Sequence, residues 1–176
     1  RFNHEDNFEG VAFVETALGQ AVTPLTNEQT SKFFRNLAEV NSAAKVAFPN
    51  TVVVQFANFP FQALPVLTDA MRVSGVGLSG PDIFSEHPGL NRLPSAYNSG
   101  GAYSYHPKLA GTVPLAINAS GESYMTTTLR GPLKPQSPQF LHTFARDRLL
   151  VNYMFWAAHN KAPVMGYNKA LRYMKS

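Results

Sequence analysis

Five short apolar runs, separated by stretches of helical periodicity, constrain this chain more than any other feature. They fall at residues 11–14, 51–57, 76–78, 112–117 and 149–156. Thr51-Val52-Val53-Val54-Gln55-Phe56-Ala57 is strongly β-branched, as a buried strand requires. Between the first two runs, Thr26-Asn27-Glu28-Gln29 fits a capping box, with Thr at the N-cap and Gln three residues on. Phe33, Phe34, Leu37, Val40 and Ala44 follow at helical spacing, and Pro49-Asn50 ends that helix. A second helix puts Leu64, Leu67 and Met71 on one face, with Gly75 placed for its C-terminal cap. Ser137-Pro138 opens a third, carrying Phe140, Leu141, Phe144 and Ala145, and the residues after 156 supply a closing helix.

Strict alternation of apolar strands with helices predicts a parallel sheet covered by helices. Two architectures satisfy it. One is part of a (β/α)8 TIM-barrel-like fold, a partial barrel of about five βα units. The other is an open, doubly wound parallel sheet. Five strands cannot close an eight-stranded barrel, so the barrel reading calls for further units from elsewhere, the N-terminal half of the barrel being the expected partner. The 176 residues suit one α/β domain spanning 1–176, with a real core. Residues 85–108 are rich in Pro, Gly, Ser, Asn and Tyr, and a long loop inside a compact domain is usually functional.

Composition narrows the function classes. The net charge is +4 with Lys and Arg scattered, so no nucleic-acid patch is expected. No 18-residue apolar stretch appears, which argues against a membrane-spanning helix. Zero Cys removes disulfides, thiolate chemistry and Cys-based zinc sites, and leaves cytoplasmic and exported locations equally open. His4, His87, His106, His142 and His159 show no i, i+4 pairing, so no metal is called for. No organic cofactor is expected either. Gly75-Val76-Gly77-Leu78-Ser79-Gly80 spells a dinucleotide fingerprint, but it spans a helix end and a strand instead of opening a helix.

Parallel α/β folds place their sites beyond the carboxyl ends of the strands. Those ends present Glu15, Asn58, Asp82, the segment Asn118-Ala119-Ser120-Gly121-Glu122, and Trp156 with His159. Glu15 follows four apolar residues, and a carboxyl at the mouth of a low-dielectric core would have its pKa raised, as a general acid needs. Its ordinary alternative is a loop cap or an ion pair. Asp82 follows Gly80-Pro81 and can be a second carboxylate, a hydroxyl acceptor or a helix N-cap. Glu122 sits on a Gly-containing loop, where an exposed role is equally open. Trp156 can stack on a sugar ring or pack in the core, and Phe59, Tyr97, Tyr103 and Tyr105 could extend such a platform.

Gly10-Val11-Ala12-Phe13-Val14-Glu15-Thr16-Ala17-Leu18-Gly19, Val54-Gln55-Phe56-Ala57-Asn58-Phe59-Pro60, Gly75 through Asp82 and Val151-Asn152-Tyr153-Met154-Phe155-Trp156 resemble the C-terminal part of a bacterial glycoside-hydrolase-like TIM barrel. The resemblance makes these strands four, five, six and eight, with Val113-Pro114-Leu115-Ala116-Ile117 as strand seven. It implies hydrolysis of glycosidic bonds in a poly- or oligosaccharide. Glu15 would be the general acid/base at the end of strand four, with Asp82 or Glu122 as second carboxylate. Asn58, Asn118, Trp156 and His159 would contact the carbohydrate. Val14 stands where that clan has Asn, and strand seven ends in Asn118-Ala119-Ser120 instead of Glu. A non-catalytic carbohydrate-binding barrel is therefore the alternative. A flavodoxin-like nucleotide-binding sheet ranks below it, because Glu15 occupies the place a phosphate would need.

Overall fold

The computed structural model describes every residue except 1–4, 18–21, 81, 127, 129–131, 133, 159 and 161–165. His159 and the Leu18-Gly19 end of the first motif therefore lie outside the described residues. Five strands alternate with helices in chain order: β1 (Gly10–Phe13), α1 (Asn27–Ala47), β2 (Val52–Phe56), α2 (Leu64–Ser74) and β3 (Gly77–Ser79). Then come α3 (His106–Leu109), β4 (Ala116–Ala119), α4 (Pro138–Thr143), β5 (Tyr153–Trp156) and α5 (Gly166–Met174).

Local chemistry explains the helix starts and stops. Thr26 Oγ1 accepts from Gln29 N at 3.2 Å, and the Gln29 side chain accepts from Thr26 N at 2.8 Å, so the capping box is present at α1. Gly75 ends α2 at φ 77°, a left-handed conformation that costs a residue with a Cβ. Ser137 accepts from Phe140 N at 3.0 Å to cap α4, with Pro138 at its start. α2 buries Leu64, Leu67 and Met71, each worth about 1.5–3 kcal/mol when withdrawn from water.

Every strand pair is parallel. β1, β2 and β3 form one sheet in that order, with Gly10 opposite Val52 and Val54 opposite Gly77. β4 and β5 form a second, with Ala116 opposite Tyr153 and Ala119 opposite Trp156. Parallel bridges Leu78–Leu115 and Asp82–Asn118 join the two sheets. Neighbours are thus sequential from β1 to β5, whereas a doubly wound sheet reverses its order at a switch point. Among the described residues no closed barrel exists. The fold is mixed α/β with small parallel sheets.

Alternation along the strands divides the residues between two faces. Val53, Leu78, Leu115 and Ile117 are fully buried in the core with α1 and α2 residues, and Val11, Phe13, Met154 and Trp156 pack against it. The opposite face carries Ala12, Val52, Val54, Ala116, Tyr153 and Phe155, which line an open groove. Phe155 on that face is 48% exposed. Val54 and Ala116 on the same face are buried, so among the described residues that face lies open at its β5 end.

Several element limits differ from those expected. β4 spans Ala116–Ala119, so Asn118 lies within the strand, held there by pairing to both β5 and Asp82. β5 is shorter than the apolar run that contains it. Residues 149–152 are diverted because a π-helical turn at Phe144–Arg148 extends α4, and Leu150 takes φ 56°. The segment 85–108 is not structureless: it holds a 3-10 turn at Ala102–Ser104 and the first three residues of α3. The false dinucleotide fingerprint resolves as a helix cap at Gly75 and a strand starting at Gly77.

Candidate functional site

The carboxyl ends of all five strands are tied into one rim by backbone hydrogen bonds. Thr16 N donates to Phe56 O at 3.0 Å, and Ala57 N to Ser79 O at 2.9 Å. Gly80 N donates to Ala116 O at 3.1 Å, Ile83 N to Asn118 O at 3.0 Å, and Ala157 N to Ala119 O at 2.9 Å. This lattice continues parallel pairing past the strands and fixes where their loops depart.

Two loops meet at the ends of β1 and β2. Asn58 is buried, and its Nδ2 donates to Glu15 Oε2 at 3.2 Å. Asn58 Oδ1 accepts from Phe59 N at 2.8 Å and from the Thr16 hydroxyl at 3.4 Å, while Asn58 N donates to Thr16 Oγ1 at 3.1 Å. The amide is thus engaged in orienting Glu15 and closing the loop. Glu15 itself is exposed. The low-dielectric setting expected for it belongs to a different carboxyl, because β1 is an edge strand and its end opens to water.

That carboxyl is Asp82. Burial pushes its pKa up, the negative charges of Glu15 and Glu122 add to the rise, and hydrogen bonds from Ser120 and Asn118 pull against it. Glu15 and Glu122, the other two acids proposed from sequence, therefore each lie within electrostatic reach of Asp82. Among the described residues no Lys or Arg forms an ion pair with any of them. Ser120 is set by reciprocal contacts with Ser123, including Ser120 N to Ser123 Oγ at 3.1 Å. This turn leaves Glu122 exposed beside Asp82.

Comparison with known protein families, curated proteins and solved structures returns no match for this chain.

The rest of the rim divides into residues the structure brings to the acids and residues it does not. Asn118, half-buried, shares the Asp82 side and hydrogen-bonds its carboxyl. Trp156 lies on the helix-facing side of β5 and stacks on Tyr124, with ring centroids 6.2 Å apart and planes 12° from parallel. Tyr103 and Tyr105 are buried, so neither ring can receive a sugar. The sequence offered both as residues that could extend a platform beside Trp156. Here the 3-10 turn folds them inward. Tyr97 is 98% exposed, and Phe59 packs 4.6 Å from Phe61 beside Asn58.

Two contributors to the rim were not singled out from sequence. Thr16 and Ser120 are ordinary loop residues until the fold sets them against Asn58 and Asp82. Among the described residues no three His, Asp or Glu side chains are grouped to hold a metal ion, and no helix is long and apolar enough to cross a membrane. What the rim offers is one half-buried carboxyl whose pKa is raised, beside two exposed ones. Paired acids in unlike environments are the usual basis for splitting acid and base roles.

Proposed function

We propose that this rim hydrolyses a glycosidic bond in a poly- or oligosaccharide, with Asp82 as proton donor and Glu15 and Glu122 as the facing carboxylates. The observation that carries the reading is the convergence of Glu15 and Glu122 on a half-buried Asp82 at the carboxyl ends of parallel strands. Cleavage of an acetal needs a proton delivered to the leaving oxygen and a carboxylate to stabilise or attack the sugar carbon. An acid raised by burial supplies the first, and an exposed Glu held by an Asn amide supplies the second. The role expected for Glu15 from its strand-end position and a low-dielectric setting thus passes to Asp82, whose carboxyl pKa is raised by burial. The resemblance of the strand motifs to a glycoside-hydrolase barrel suggests the same reaction class, with Asp82 as one of its carboxylates.

The architecture that suits this chemistry is part of a (β/α)8 barrel. Three features support it: sequential strand order, outer edges at β1 and β5 that pair with no other strand among the described residues, and the apolar face carrying Phe155 and Val54. In a barrel that face is the packed interior, filled by side chains from every strand.

A binding-only reading has its own observation. β4 ends in Asn118 and Ala119, and Glu122 stands on an exposed turn beyond it. The test is release of reducing ends from a panel of polysaccharides by the native chain and by Glu15→Gln, Asp82→Asn and Glu122→Gln. Loss of at least about 100-fold in kcat is expected for Asp82→Asn and for one of the two Glu variants. Undiminished turnover by all three on a confirmed substrate sinks the proposal. Oligosaccharide binding without product establishes the binding-only alternative.

A further inference from the structure

We propose that Tyr103 is a positioning residue for Asp82, its hydroxyl clamping the backbone from residue 82 to 84 and so setting where the Asp82 carboxyl sits between Glu15 and Glu122. The inference rests on the reading of Asp82 as proton donor and adds a residue that reading did not contain.

The hydroxyl makes both of its contacts to this one turn. It donates to Asp82 O at 2.6 Å and accepts from Phe84 N at 2.8 Å. Ile83 N, between them, donates to Asn118 O at 3.0 Å, so three consecutive residues are pinned to two separate elements. Tyr103 is fully buried and fixed in turn. Its ring packs edge-on against Phe144, with centroids 5.6 Å apart and planes at 66°, and it meets His106 at 6.3 Å. Its backbone N donates to Leu90 O at 3.1 Å. A surface loop turn needs none of this. A carboxyl that must stay beside two others does, because like charges drive such a loop outward into water, where its acid ionises at ordinary pH. The long segment before α3 is then the arm that delivers this hydroxyl. Burial and the neighbouring Asp82 charge also hold the phenol itself protonated, so it remains a donor to the Asp82 carbonyl at every working pH.

The test is a carbon-detected NMR titration of the Asp82 carboxyl in the full chain, with Tyr103→Phe keeping the ring and removing only the oxygen. The Asp82 midpoint should move down toward the ordinary carboxylate range, and the Phe84 amide should exchange with solvent about tenfold faster or more. On a confirmed substrate kcat should fall roughly 10- to 100-fold with KM little changed. Phe144→Leu is the packing control: it loosens the same ring without touching the hydroxyl, and should leave the Asp82 titration in place. An unmoved midpoint in Tyr103→Phe, or an equal shift in Phe144→Leu, overturns the clamp. Should Tyr103→Phe not fold, the native chain decides, since the Tyr103 Cζ and Phe84 amide resonances must follow the Asp82 titration. Their indifference to it overturns the proposal. None of these titrations needs a substrate. A shifted midpoint with no hydrolysis of any glycan upholds the clamp and removes the hydrolase, whereas an unmoved midpoint with Asp82-dependent hydrolysis does the reverse.

Discussion

Asn58 reaches from the end of β2 to the end of β1, where its Nδ2 donates to Glu15 Oε2 at 3.2 Å. The same side chain accepts the Phe59 amide at 2.8 Å and is buried, so one residue both closes a loop and aims an acid. Asn58→Ala should leave the Phe59 N–H and the Thr16 O–H without the Oδ1 they donate to, although the backbone N at 58 still donates to Thr16 Oγ1. An orphaned buried group costs about 1–3 kcal/mol, so the expected loss is about 2 kcal/mol in urea denaturation. A midpoint equal to the native one removes Asn58 from the framework of the rim.

Asp82 gives stability a pH dependence of known sign. Its folded pKa is raised, so the folded state holds the proton more tightly than the unfolded chain. Its contribution is fully present below the ordinary Asp value of 3.8 and is lost as pH climbs through the raised one. Asp82→Asn cannot ionise and escapes that loss. The stability gap between the variant and the native chain should therefore grow in the variant's favour from about pH 3 to neutrality. A gap that is flat across this range contradicts the burial of Asp82.

His106 has the opposite sign. It is completely buried in α3, and desolvation pulls its pKa down to about 4 although the Ala102 and Ala116 backbones favour the charged ring. The unfolded chain takes up the proton first, from the ordinary value of 6.5 downward, so stability falls as pH drops from there toward 4. His106→Leu should lack this decline. For a shift of that size the spared loss is on the order of 3 kcal/mol at most, read from thermal or urea unfolding at pH 4 against pH 7. Parallel pH profiles for the two proteins would falsify the neutral, buried state of the ring.

Gly77 marks the join of the two sheets. A Cβ there would stand 2.3 Å from Pro114 O and 2.8 Å from Val54 Cγ1, one of them backbone that cannot swing aside. Gly77→Ala should force β3 away from β4 at a cost of about 1–3 kcal/mol. Wild-type stability in that variant would show the β3–β4 join to be looser than drawn.

The sequence by itself determined the five strands, the helices α1, α2, α4 and α5, and their order, while α3 and the π-helical turn were not legible in it. The Thr26–Gln29 box, Gly75 and Ser137-Pro138 act through bonds within a few residues, so their geometry is encoded locally. The apolar runs marked all five strands, and with them the ends at which Glu15, Asp82 and Glu122 gather. Only the tertiary structure decided which acid is half-buried. Burial depends on what packs across a gap in the chain: Asp82 is covered by contacts with Asn118 and Ser120, more than thirty residues away in sequence, whereas Glu15 closes an edge strand and meets water. It also decided that Trp156 faces the helices and that Tyr103 turns inward to hold Asp82, since a ring's direction follows from strand register and loop closure. Periodicity could place these residues at the rim, and long-range packing gave each its environment.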